Sequence, residues 1–167
     1  MTLTKIIKEI EINESKAKVW SVLADIGAIE NFNPSVTKSY STSENKQGIG
    51  ASRHCDLLPM GSVEERIIEW EEGESYKIEI FEGKAIPFKG TGKFELTGNG
   101  KSTTVKMTFE PIMGNGLLGK LMGFMMKGKM NKMIAGIIIG LKHNLETDEL
   151  VSAKTYKKIR KLSSELK

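Results

Sequence analysis

Cysteine is nearly absent from this chain of 167 residues: Cys55 stands alone, so no intrachain disulfide can close, and a reducing compartment is expected. Histidine is as scarce. His54 and His143 are the only two, and neither lies near a Ser or Cys in a nucleophile pattern, which argues against a catalytic triad. No cluster of His, Cys, Asp and Glu has metal-ligand spacing, so no metal and no cofactor is expected. Long apolar runs are missing too. The longest, Met133–Leu141 (MIAGIIIGL), is bracketed by Lys132 and Lys142 and falls well short of the ~20 residues that span a bilayer. The amino terminus, MTLTKIIKEIEINE, lacks the basic, then apolar, then small-residue plan of a secretion signal, so a cytoplasmic location is expected.

Acidic side chains thin out towards the carboxy terminus. Residues 1–112 hold 14 basic and 17 acidic side chains (−3), whereas residues 113–167 hold 11 and 4 (+7). A contact with anionic lipid or an acidic partner belongs to this last third, where a peripheral membrane contact is conceivable. Aromatics make up only 7% of the chain and are not interleaved with the basic residues as base-stacking surfaces require, so no nucleic-acid partner is expected.

What is present is an ordinary globular composition, 39% hydrophobic and 28% charged, of a size for one core. Residues 3–12 alternate β-branched and charged side chains and read as a half-buried strand. Ser15 supplies a cap for a short helix over residues 16–25, with Val19, Trp20, Val22 and Leu23 on one side. A second helical turn is expected over 26–32, because Pro34 disfavours helix at Asn33. Extended segments follow at about 35–43, 49–57, 61–71, 75–82, 86–97 and 102–111, joined by short Gly-, Asn- and Pro-containing links that imply antiparallel hairpins. After Pro111 the period turns helical. The apolar sides of residues 117–126 and 130–145 point in nearly opposite directions, which predicts two helical segments or a strong bend at Lys127, Gly128 and Lys129. Strands followed by a long helix make an α+β domain over residues 1–150, and residues 151–167 read as a basic amphipathic extension.

The local matches INESKAKVWSVLADIGAIENFNPSV, GIGASRHCDL, GSVEERIIEWEEG, IPFKGTGKFEL and LKHNLE follow one another in a particular order. In that order the chain resembles the START-like (SRPBCC, Bet v 1-like) superfamily, in its polyketide cyclase/dehydrase-type branch. The resemblance implies the helix-grip fold, a curved antiparallel sheet of about seven strands wrapped around a long carboxy-terminal helix. It also implies a cavity for lipids, polyketides, quinones or similar molecules, in a superfamily that holds both cyclases or dehydratases and pure binding proteins. As an enzyme, such a chain would be cyclase/dehydratase-like and would need neither metal nor nucleotide.

Strand parity places candidate site residues. If Ala51, Cys55 and Leu57 face inward, Arg53 goes with them and His54 points out; Glu65 shares its parity with Val63 and Ile67. An inward Arg53 and Glu65 on hairpin neighbours form a charged pair in an apolar cavity. Two kinds of reading follow: Arg53 stabilises an enolate or carboxylate while Glu65 shuttles a proton, or the pair is structural, a buried ion pair that sets strand register or a polar patch at the cavity mouth. The resemblance favours the first to a degree, because plant isomerases and dehydratases of the superfamily use an Arg and a Glu on matching strands. Inward positions Phe88, Phe94, Val105, Met107 and Phe109 are expected to line a ligand pocket. Met133, Ile134, Ile137, Ile138 and Leu141 are expected to roof it.

Met122, Met125, Met126, Met130 and Met133 cluster with Phe124 where the two helical stretches meet, either as an adaptable lid or as core filling. Gly136 and Gly140 are set for close packing of helix on sheet or for room beside a ligand. GNGLLGK over residues 114–120 mimics a phosphate loop, but Leu121 stands where a hydroxyl is needed and no βαβ unit surrounds it, so it reads as a glycine-rich turn. Tyr156, Ile159, Leu162 and Leu166 form one stripe of a tail helix whose other face is basic, suited to a partner or lipid, or else a solvated end.

Overall fold

The computed structural model describes residues 5–59, 61–84, 89–98, 100–112, 117–161 and 166, without the side chains of 117–124. Strand β1 (Ile6–Ile12) is followed by helix α1 (Lys16–Ala24) and a 3₁₀ turn, Ile26–Asn31. Six strands come next, β2 (Val36–Ser41), β3 (Ser52–Leu57), β4 (Gly61–Glu71), β5 (Ser75–Lys84), β6 (Lys89–Gly98) and β7 (Thr103–Ile112). Helix α2 (Leu117–Thr147) and the short α3 (Ala153–Ile159) close the chain.

The seven strands form one antiparallel sheet in the order β1-β7-β6-β5-β4-β3-β2. Neighbours in sequence are neighbours in space from β2 to β7, as short links dictate; β1 closes the far edge beside β7, with Ile10 opposite Val105. This is the α+β helix-grip architecture expected from the sequence. Alternation sorts the two faces: Val63, Glu65 and Ile67 of β4 are buried, and so are Tyr76, Ile78 and Ile80 of β5. On the outer face Lys93 and Lys106 flank Glu95, whose carboxylate lies 3.7 and 3.2 Å from them. Such exposed pairs contribute little energy each, but they keep the outer face wet.

Ser15 caps α1, its hydroxyl accepting from the Lys18 amide at 3.3 Å. The helix buries Val19, Trp20, Leu23 and Ala24. Trp20 meets Trp70 with ring centroids 4.8 Å apart, and Glu72 accepts from both indole N–H groups at 2.8 Å. A bulge at Ile68 brings Trp70 to this cluster: Ile67 pairs with Ile78 and Trp70 with Tyr76, so one residue of β4 is skipped and its parity flips.

The expected break in the last helix is absent, and α2 runs as one helix from Leu117 to Thr147. Gly128 does not interrupt it, since a lone glycine costs a helix only ~1 kcal/mol and no proline follows Pro111. The apolar side shifts for another reason. The turn around Lys127, Gly128 and Lys129 is exposed and Met125 is 71% exposed, whereas Ile134, Ile138, Leu141 and Leu145 are buried under the sheet. The stretch of the helix over residues 125–129 therefore stays largely open to water.

Three contacts tie down the second half of α2. Glu146 accepts from the Asn13 amide and side chain at 2.8 and 3.0 Å. Lys142 donates to the Glu11 carbonyl at 2.7 Å. Gly140 lies so near the end of the 3₁₀ turn that an added Cβ would stand 2.0 Å from the Phe32 carbonyl oxygen. The Gly136 and Gly140 face thus packs on residues 32–34 and on α3, not on the sheet; a Cβ at Gly136 would meet Pro34 and the Tyr156 ring. The extension is held as well. The Val151 amide donates to the Asn31 carbonyl at 2.9 Å, Ser152 caps α3 and Ile159 is buried.

Candidate functional site

A cavity of about 60 Å³ lies between the concave face of the sheet and α2. Its wall is apolar except for Asn33, Arg53 and Glu65. Arg53 and Glu65 arrive there by register: they are directly opposed on β3 and β4, and both have the inward parity of Cys55 and Val63. Arg53 Nε donates to Glu65 Oε2 at 2.6 Å, and Nη1 donates to the Ile26 carbonyl at 2.8 Å. The side chains are 2% and 11% exposed, so each charge depends on the other.

Two groups, Cys55 and Tyr76, crowd this pair. Burial is the largest single influence and would lower the Arg53 pKa, but the charge and hydrogen bond of Glu65, with Cys55 and Tyr76, together outweigh it and the net shift is upward, so Arg53 stays cationic. Burial pushes the Cys55 thiol up to about 12, with Arg53 opposing and Glu65 adding; its Sγ lies 3.8 Å from Glu65 Oε2. Burial also pushes Tyr76 to about 12 against the pull of Arg53. The Tyr76 hydroxyl is buried without a hydrogen-bond partner among the described residues, so its contact with Arg53 is electrostatic and lacks hydrogen-bond geometry. Cys55 and Tyr76 are neutral near pH 7, and Cys55 is a small core hydrophobe beside an ion pair.

Of the pocket residues expected from parity, Phe94, Met107, Phe109, Met133, Ile134 and Ile137 line the cavity with Arg53 and Glu65. Val105, Ile138 and Leu141 do not: all three are fully buried in the packed core, because the sheet closes on α2 before the cavity reaches them. Phe88 lies outside the described residues, as do residues 114–116, the side chains of Met122 and Phe124, and Leu162. Cys55, Leu57 and Val63 reach the wall by the inward parity read for them, whereas sequence reasoning missed Ile29, Asn33, Val36, Ile78, Ile80 and Gly92 as wall residues. The alternation through Tyr76, Ile78 and Ile80 carried a signal for the β5 pair. Gly92 has the parity of Phe94, and a Cβ there would sit 3.5 Å from Ile78 and 4.0 Å from Met107, so its missing side chain is part of the cavity. Asn33 gave no signal; it reaches the wall only because the 3₁₀ turn folds under α2.

Beside the cavity lies a shallow groove of about 380 Å³ formed by Leu57, Leu58 and Pro59 from the end of β3 and the turn after it, Met126, Met130 and Met133 from α2, and Tyr156 from α3, with Lys129 and Lys132 also in its wall. Leu57 and Met133 belong to both groove and cavity. His54 lies on the outer face as its parity required, between Glu64 and Asp56 and stacked on Tyr40. Among the described residues no group of His, Cys, Asp and Glu is placed to hold a metal ion. Among the same residues no helix is long and apolar enough to cross a membrane.

Solved structures share this architecture. A START superfamily protein from Mycobacterium smegmatis superposes with a TM-score of 0.66 at 15% identity, over 85% of this chain and 97% of that one. The Zhui aromatase/cyclase from a Streptomyces species gives 0.72 at 11% identity, over 86% and 93%. Truncated norcoclaurine synthase from Thalictrum flavum gives 0.68 at 14%, over 89% and 96%. At such identities the likeness is one of fold. No curated protein matches the chain in sequence. The family model described as polyketide cyclase/dehydrase and lipid transport matches residues 4–146, almost the whole sheet and α2. The chain therefore belongs to that START-like family.

Proposed function

We propose that this protein binds a small, largely apolar molecule between the sheet and α2, as a carrier or sensor. The observation that carries the reading is a cavity with an apolar wall, a single charge-paired polar spot, and walls shared with a surface groove at Leu57 and Met133. At about 60 Å³ the cavity is smaller than the ~150 Å³ that admits benzene in an engineered core. Ligand entry therefore requires widening. Met133, which separates cavity from groove, and Met107 in the wall have the unbranched, adaptable side chains that permit it. Displacement of neutral phenyl-naphthylamine fluorescence by candidate ligands tests the reading, with Gly92→Val as the control that fills the wall. Binding lost in a folded Gly92→Val supports the cavity as the site; unchanged binding places the ligand elsewhere.

The second reading is catalysis, and the Arg53–Glu65 pair favours it: a guanidinium and a carboxylate meet in the wall, suited to stabilising an enolate and moving a proton. Cyclisation, dehydration or isomerisation is the matching chemistry. With a substrate in hand, Glu65→Gln lowers turnover by ~10²-fold or more on this reading, while binding of an uncharged substrate changes little. Unchanged turnover removes the reading.

A further inference from the structure

The cavity wall keeps hydrogen-bonding capacity that the fold does not use. Arg53 engages Nε and Nη1 with Glu65 and the Ile26 carbonyl. Glu65 accepts at Oε2 from Arg53 and the Cys55 thiol, and Asn33 accepts at Oδ1 from the Ser35 amide at 3.0 Å. No hydrogen bond among the described residues uses Arg53 Nη2, Asn33 Nδ2 or Glu65 Oε1, and all three residues line the cavity. The wall thus retains two donors and one acceptor within an otherwise apolar lining.

Charge decides which ligand group can use them. Arg53 and Glu65 cancel one another at 2.6 Å, so no net positive charge is left to hold an anion. A carboxylate entering here would lose its water shell, at an effective cost of several kcal/mol, beside a Glu65 oxygen of its own sign. A hydroxyl carries no such penalty. It can donate to Glu65 Oε1 while accepting from Arg53 Nη2 or Asn33 Nδ2, completing the donors and acceptors that burial would leave unmet.

We propose that the cavity selects uncharged, hydroxyl-bearing apolar molecules, phenols or ring alcohols, and rejects apolar carboxylates, with Glu65 Oε1 as the acceptor for the ligand hydroxyl. This selection rests on the ligand-binding reading above. Calorimetric titration of the full chain at neutral pH with naphthol, naphthoate and methoxynaphthalene, three probes on one ring skeleton, tests it. Naphthol is expected to bind at least ~10-fold more tightly than either of the others. Glu65→Gln, which keeps an acceptor oxygen and removes the charge, is expected to retain naphthol and to tighten naphthoate by ~10-fold. Equal binding of naphthol and naphthoate by the unaltered protein overturns the charge selection, and equal binding of naphthol and methoxynaphthalene overturns the Glu65 acceptor. Both results leave the ligand-binding reading intact. Failure of all three probes to bind overturns selection and reading together. These comparisons use the unaltered chain, so the proposal stays testable even where Glu65→Gln does not fold.

Discussion

Single side chains already separate what is structural from what is available for chemistry. Among the described residues Glu65 is the only acidic partner that Arg53 engages, and removing one member of a buried pair costs about 3–5 kcal/mol because the other charge is stranded. Glu65→Ala is therefore expected to lose about that much stability in chemical denaturation, whereas Glu65→Gln, still able to accept from Arg53 Nε, loses less. His54 behaves differently. Hydrogen bonds to Glu64 and Asp56 outweigh its burial and raise its pKa above the ordinary value near 6.5. A raised folded pKa contributes stability that is fully present below about pH 6.5 and is lost as pH rises through the higher folded value. The stability gap between the unaltered protein and His54→Gln is accordingly expected to be larger at about pH 5 than at about pH 9. An equal gap at both would mean that His54 contributes only its stacking on Tyr40.

At the scale of elements, α2 has two unlike halves. Its second half is held by Asn13, Glu11 and the close approach of Gly140 to Phe32, while Met125–Lys129 face water or the groove. Two glycine substitutions should therefore have opposite signs. Glycine to alanine in a helix ordinarily stabilises by up to ~1 kcal/mol. Gly128→Ala meets nothing within 4 Å and is expected to raise the melting temperature. Gly140→Ala places a methyl 2.0 Å from the Phe32 carbonyl oxygen, must push α2 off its seat, and is expected to lower it. The same asymmetry predicts faster amide exchange in residues 125–133 than in 134–145. Uniform protection along residues 125–145 would argue against this asymmetry. The continuity of this helix was not legible in the sequence, because hydrophobic phase reports which side is covered and not whether the backbone bends.

For the whole molecule the uneven distribution of charge matters most. Residues 111–145 contain no Asp or Glu and five lysines. Lys129 and Lys132 are exposed at the groove, Lys127 is exposed on the same helix, and Leu58 and Met125 are 65% and 71% exposed. Basic residues near an anionic bilayer contribute ~1 kcal/mol each, and exposed apolar side chains can enter the interface beside them. Were this face to meet an anionic bilayer, flotation with vesicles containing phosphatidylglycerol would recover the protein at low salt, less at high salt, and less again for the double substitution Lys127→Glu and Lys129→Glu, and no recovery at low salt would remove the contact. Recovery on neutral phosphatidylcholine vesicles that is just as high would assign the contact to the apolar residues alone. Tyr156 joins α3 to the same groove, so the extension beyond residue 150 belongs to the groove as much as to the tail.

The chain's own periodicities were enough for much of this. Two-residue alternation with short polar links dictates antiparallel hairpins, and the same alternation put Arg53 and Glu65 on the inner face, because strand geometry carries side-chain direction from one residue to the next. Ser15 announced its helix by chemistry alone. Other features depend on contacts between residues far apart in sequence. The bulge at Ile68 turns Trp70 towards Trp20 of α1, and the arrival of Asn33 in the wall and the sealing of Val105, Ile138 and Leu141 away from the cavity follow from how deeply α2 sits against the sheet. That depth is set by Gly140 against Phe32 and by Glu146 on Asn13, contacts between segments more than a hundred residues apart that no local pattern encodes. Cavity volume is the small remainder left by those contacts, and so only the folded chain decides it.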